Sequence, residues 1–154
     1  MNISMQIKPI IFIITIMCFS GCGKDSDPQS FSAPHSFSNP PVTNQDEWIV
    51  NANDYQDFMT VVAEIHLDGE PVCNASNILA GFKDSEIRGV TEPYSHLDCV
   101  LYNLIIYSNN AGETITFGAY LSDENRTVSC TNEITFEAGL GLGTPDTPYI
   151  IEIK

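Results

Sequence analysis

Phe58-Met59-Thr60-Val61-Val62-Ala63-Glu64-Ile65-His66-Leu67 is the stretch that decides the fold class. Met59, Val61, Ala63, Ile65 and Leu67 fall on one side of an extended chain; Thr60, Glu64 and His66 fall on the other. Side chains alternate faces along a strand, so a period of two rich in β-branched residues reads as a half-buried β-strand. Asp68-Gly69, directly after it, is turn chemistry.

The pattern continues outward from that strand. Residues 77–82 and 86–90 flank Lys83-Asp84-Ser85 and predict a hairpin. Residues 97–107 form a long apolar run rich in Ile and Tyr, expected as the central strand. Residues 108–112 read as a loop, and 113–121 as a strand with Ile115, Phe117, Ala119 and Leu121 inward. After a turn at 122–125 come a strand at 133–136, a flexible Gly-rich loop at 139–148 and a closing strand at 149–153. No stretch keeps a 3.6-residue period over a helix length. Short strands separated by turn signals predict an all-β domain over 47–154, a two-sheet antiparallel β-sandwich of immunoglobulin-like size.

The N-terminus carries an address. After Lys8, Pro9-Ile10-Ile11-Phe12-Ile13-Ile14-Thr15-Ile16-Met17-Cys18-Phe19 is an almost unbroken apolar run, followed by Ser20-Gly21-Cys22-Gly23. A basic start, an apolar run and small residues at its end form a secretory leader. The run is shorter than the ~20 residues that cross a hydrocarbon core. Phe19-Ser20-Gly21-Cys22 resembles the lipobox of bacterial lipoproteins. The resemblance implies cleavage before Cys22, acylation of Cys22 on sulfur and on its new amino group, and a membrane held through lipid. Lys24-Asp25 resembles signals that route lipoproteins to the outer membrane or cell surface. Residues 1–21 are then the signal peptide and 22–46, rich in Ser, Pro and Asn, a disordered tether.

Charge narrows the partners. The chain has six basic and twenty acidic residues, a formal net charge of −14. Losing Lys8 with the leader leaves five basic residues and −15. So acidic a surface repels nucleic acid and anionic lipid headgroups. With Cys18 in the leader and Cys22 acylated, Cys73, Cys99 and Cys130 remain for an exported, disulfide-permissive compartment. Cys73 and Cys130 lie in polar, loop-like stretches and are the expected pair; Cys99, inside the apolar run, is expected as an inert buried thiol.

The order of motifs carries a second resemblance. It runs from Met59-Thr60-Val61 and Asp68-Gly69-Glu70 through Asn77-Ile78-Leu79-Ala80-Gly81-Phe82 and Glu86-Ile87-Arg88-Gly89-Val90. It ends with Gly112-Glu113-Thr114-Ile115-Thr116-Phe117 and Gly143-Thr144-Pro145-Asp146-Thr147-Pro148-Tyr149. This order resembles a β-sandwich module repeated in secreted and cell-surface proteins of Bacteroidota-like and marine bacteria. It implies an extracellular module of unassigned activity.

Candidate sites follow from residue type. Lys83 and Arg88, basic residues in an acidic chain, are candidate ligand contacts, or partners of nearby carboxylates. Trp48, Tyr94, Tyr102 and Tyr120 offer flat faces for sugars, or core packing. Asp68, Glu70, Asn74 and Asn77 supply the oxygen chemistry that calcium takes, with Asp68 and Asn77 as the candidates; no other metal or cofactor is implied. The nucleophile elbow, zinc-protease and phosphate-loop motifs do not occur. The expected function is therefore a lipid-anchored, non-enzymatic envelope protein binding a glycan or a protein. A small secreted hydrolase, or an inhibitor of one, is the alternative.

Overall fold

A computed structural model describes residues 45–153; the leader, Cys22 and the tether up to residue 44 lie outside the described residues. The described chain is all-β apart from two short 3-10 turns, Gln45–Glu47 and Ala52–Asp54. Its strands are β1 (Asp57–Leu67), β2 (Glu70–Pro71), β3 (Ile78–Lys83), β4 (Glu86–Thr91) and β5 (Pro93–His96). They continue with β6 (Cys99–Ser108), β7 (Thr114–Leu121), β8 (Arg126–Thr135), β9 (Gly141–Leu142) and β10 (Tyr149–Ile153).

β1 is the spine. One edge pairs antiparallel with β6, from Asp57 opposite Ser108 to Ala63 opposite Tyr102, and then with β2 at His66 and Leu67. The other edge pairs parallel with β9 at Thr60 and Val61 and with β10 from Ala63 to Leu67. The glycine-rich stretch is therefore not the loose loop its composition suggested: the Gly139 amide donates to the Phe58 carbonyl, and the Thr60 amide to that of Leu140. Gly143 (φ +70) turns the chain back out, where a Cβ would overlap the Val62 carbonyl.

The strand path runs β4-β3-β7-β8-β10-β1-β6-β5. β8 pairs with β7 at both of its ends, with a bulge between, and reaches β10 at Cys130 opposite Ile153, so the two halves are continuous. At the far side β4 comes against β6: the Arg88 guanidinium donates to the Tyr107 carbonyl at 3.3 Å, and a Cβ at Gly89 would overlap the Ile105 carbonyl. The path curls almost into a barrel and mixes parallel with antiparallel pairs, in place of wholly antiparallel pairing.

The alternation of β1 is realised: Met59, Val61, Ala63 and Ile65 are fully buried, facing Tyr102, Leu104, Ile106, Ile115, Phe117 and Ile151. β3 reads as a continuous apolar run because both of its faces are covered. Leu79 joins the main core, while Ala80 and Phe82 form a second small core beneath Trp48, whose ring meets Phe82 edge-on at 5.5 Å. Two boundaries differ from the sequence reading. The 97–107 run starts with a turn at Leu97-Asp98, which joins β6 to a further strand, β5, before it; and β8 begins at Arg126, well before residue 133.

Because β4 closes on β6 through a bare glycine, Gly89→Ala is expected to lower unfolding free energy by about 1–3 kcal/mol in denaturant titration. A variant as stable as the parent would show that the two strands stand farther apart.

Candidate functional site

The predicted contacts divide. Arg88 is buried, not a free surface cation: its guanidinium pairs with Glu113 at 3.1 Å and Glu86 at 3.3 Å and lies 5.1 Å from the Tyr55 ring centre. Glu113 also accepts from Ser108 Oγ at 2.6 Å and Asn110 Nδ2 at 3.2 Å. Burial works to raise the Glu113 carboxyl, but these two donors and the charges of Arg88 and Lys83 hold it below its ordinary value. Tyr55 donates to Glu86 at 2.7 Å and stacks on Tyr107; burial, with Glu86 beside it, pushes its hydroxyl up to about 12. This cluster binds β4, the β6–β7 turn and the segment before β1 to one another. It is a structural lock, and a buried pair of this kind is costly to break.

Lys83 Nζ pairs with its neighbour Asp84 at 2.6 Å. Trp48 and Tyr102 are buried and present no ring face to a ligand. Tyr102 lies in the main core, where burial pushes its hydroxyl up to about 12 against the pull of Asn77. Tyr120 is half-buried and donates to Asn125 at 2.8 Å. Asn77, a candidate calcium ligand, is buried with its Oδ1 accepting from the Ser122 amide and hydroxyl at 2.9 and 3.2 Å. Asp68 forms the β1–β2 turn in the left-handed region, at φ 52. Among the described residues no group of three or more His, Cys, Asp or Glu could hold a metal.

The cysteines are paired differently from the expectation. Cys73 is bonded to Cys99, with Cα atoms 4.7 Å apart, and Cys130 is free. The reason is register. Cys73 follows β2, which runs along the edge of β1 next to the start of β6, where Cys99 stands. Cys130 lies mid-strand in β8 and packs on the main core, and burial pushes its thiol up to about 12.

That disulfide forms one wall of a groove of about 330 Å³ between the β1–β2 and β5–β6 hairpins. Leu101, Pro71 and the disulfide supply its apolar surface; Glu64, His96 and Asp98 supply its polar groups. Glu64 Oε1 also meets His66 Nε2 at 2.8 Å, and His66 Nδ1 lies 3.9 Å from Glu152. Tyr94, partly exposed, stands opposite Leu101 across β5 and β6. Leu97 caps the groove at the hairpin turn, 91% exposed and at φ 49. The other non-glycine residues with positive φ among the described residues are Asp68, Asp84 and Asn125, types that tolerate this conformation. A second, more polar cleft of about 450 Å³ lies between Gln45, Ser76, Glu92 and Tyr120. Of the predicted contacts only Tyr94 belongs to the groove's face. Leu97 and Asp98 were hidden at the start of an apolar run, where Asp98 and Asn103 are the polar interruptions.

Comparison of the chain with protein-family models, with curated proteins and with solved structures gives no match.

A non-reducing peptide map should recover a Cys73–Cys99 cross-linked peptide, and Cys130 should resist alkylation until denaturant is added. A Cys73–Cys130 peptide would refute this arrangement.

Proposed function

We propose that this protein is a lipid-anchored component of a bacterial cell envelope, at the outer membrane or cell surface, that displays one non-enzymatic binding domain. Cys22 is the acylated residue, residues 22–46 are the tether, and the domain beyond binds a glycan or a protein. The leader and its Phe19-Ser20-Gly21-Cys22 ending support the anchor. Two or more acyl chains would hold firmly where one is marginal. In finer detail we read the strand path as a sandwich, β4-β3-β7-β8 facing β10-β1-β6-β5, akin to the modules repeated in secreted proteins of Bacteroidota-like bacteria.

The observation that carries the binding reading is the groove, which combines apolar floor, few polar groups and an exposed leucine at its mouth. Nucleic acid stays excluded from this proposal by the net charge of −14. Calcium remains a proposal only as a cofactor of binding, through Asp68 at its exposed turn.

The hydrolase reading draws on one observation: His96 shares the groove with Glu64 and Asp98. Against it, the groove's cysteines are joined to each other, and no serine or threonine is among the described residues lining it. A nucleophile and an oriented base are what covalent hydrolysis requires. Turnover of ester or glycoside substrates that disappears in His96→Ala would favour this reading.

Intact-mass analysis from a bacterial host should show the chain starting at a triply or doubly acylated Cys22, with Cys22→Ser leaving the leader uncleaved. In a polysaccharide array, run with calcium and with chelator, Tyr94→Ala should reduce binding by about tenfold if sugar is the ligand. An unmodified Cys22 thiol would remove the anchor from the proposal.

A further inference from the structure

We propose that the groove beside the β5–β6 turn docks a cationic protein segment, seating one apolar side chain against Leu97 and Leu101 and an adjacent Lys or Arg against Asp98 and Glu64. The inference rests on the binding-domain reading and names the partner's chemistry.

Leu97 is the first argument. It is 91% exposed and holds φ at 49, so it neither buries apolar surface nor suits its backbone. Left-handed backbone disfavours a residue with a branched apolar side chain, and elsewhere this fold meets that demand with Asp or Asn. A side chain kept at a cost to the fold, at the mouth of an apolar groove, is a contact residue for something outside the fold.

Charge is the second argument. Neither Asp98 nor His96 has a hydrogen bond or ion pair with another described side chain, and Glu64 is engaged by His66. The basic residues Lys83, Arg88 and Arg126 are each paired with a carboxylate elsewhere. The groove therefore offers Asp98 as an unpaired carboxylate and Glu64 as one met only by an imidazole, with no Lys or Arg among its described lining residues, in a chain of net charge −14. That complements a cationic partner and disfavours both a second copy of this chain and an anionic lipid surface. The third argument is preorganisation: the Cys73–Cys99 disulfide fixes the two hairpins, so little ordering accompanies binding.

The test is a titration of the isotope-labelled full chain with three probes: acetyl-Lys-Leu-Lys-amide, acetyl-Glu-Leu-Glu-amide and acetyl-Lys-Ser-Lys-amide. Lys-Leu-Lys should give saturable shifts at the amides of Leu97, Asp98 and Leu101. Leu97→Asn should weaken it by about tenfold while raising the thermal midpoint, a combination that misfolding does not produce. Asp98→Asn should weaken it and flatten its salt dependence. Equal binding of Glu-Leu-Glu or Lys-Ser-Lys, or no localised shift with any probe, would overturn the proposal. So would a lower thermal midpoint in Leu97→Asn. A polysaccharide shifting these same amides would overturn it too, while leaving the binding-domain reading in place.

Discussion

Everything in this domain depends on β1 having partners along both edges. Its inward residues set the main core, and its outward residues, Thr60, Glu64 and His66, face away from it. A strand paired on both sides cannot slip by one residue without turning Met59, Val61, Ala63 and Ile65 to water. At about 25 cal/mol per Å² of apolar area, moving four such side chains would cost about 5–10 kcal/mol, comparable to the net stability of a typical domain. β10 and β9 are parallel to β1 for the same reason: the chain returns to cover the edge that β6 leaves open.

Closure is the second constraint, and it uses different chemistry. β4 and β6 approach where Gly89 carries no side chain, and the Arg88 guanidinium bridges them through the Tyr107 carbonyl while pairing with Glu113 beyond β6. The buried charges are compensated by Ser108, Asn110, Tyr55 and Glu86, with the Arg88 Nε alone in this cluster left buried and without a hydrogen-bond partner. That explains why Arg88, a basic residue in an acidic chain, belongs to the scaffold, whereas Lys83 meets only its exposed neighbour Asp84. The groove lies on the outer side of the β1–β6–β5 portion, away from this lock's demands.

Local pattern was legible and long-range pairing was not. Period two fixed the inward set of β1 and of β7, because alternation depends only on residues two apart. The hairpin at Lys83-Asp84-Ser85 was visible for the same local reason. The parallel return of β10 was invisible, since a pentapeptide such as Tyr149-Ile150-Ile151-Glu152-Ile153 says nothing of direction. Trp48 was left between a sugar platform and core packing because the sequence does not show that Ala80 and Phe82 need a cover. The cysteine pairing failed because polarity around Cys130 suggested a loop, whereas its pairing with Ile153 of β10 makes it strand. Leu97 was missed because a turn residue with its composition defies turn chemistry. That same defiance is what marks it once the backbone is known.

The groove's walls belong to hairpins distant in sequence, and the disulfide closes a separation of 26 residues between them. A loop of this length contributes about 3–4 kcal/mol through the unfolded state. The central claim is that this bond organises the groove while β1 and its neighbours organise the core. Hydrogen exchange on the full chain, oxidised and reduced, tests it most directly. The account predicts faster exchange confined to residues 70–77 and 93–101, with 59–65 and 115–121 unchanged. No change at the hairpins, or faster exchange throughout the core strands, would contradict it.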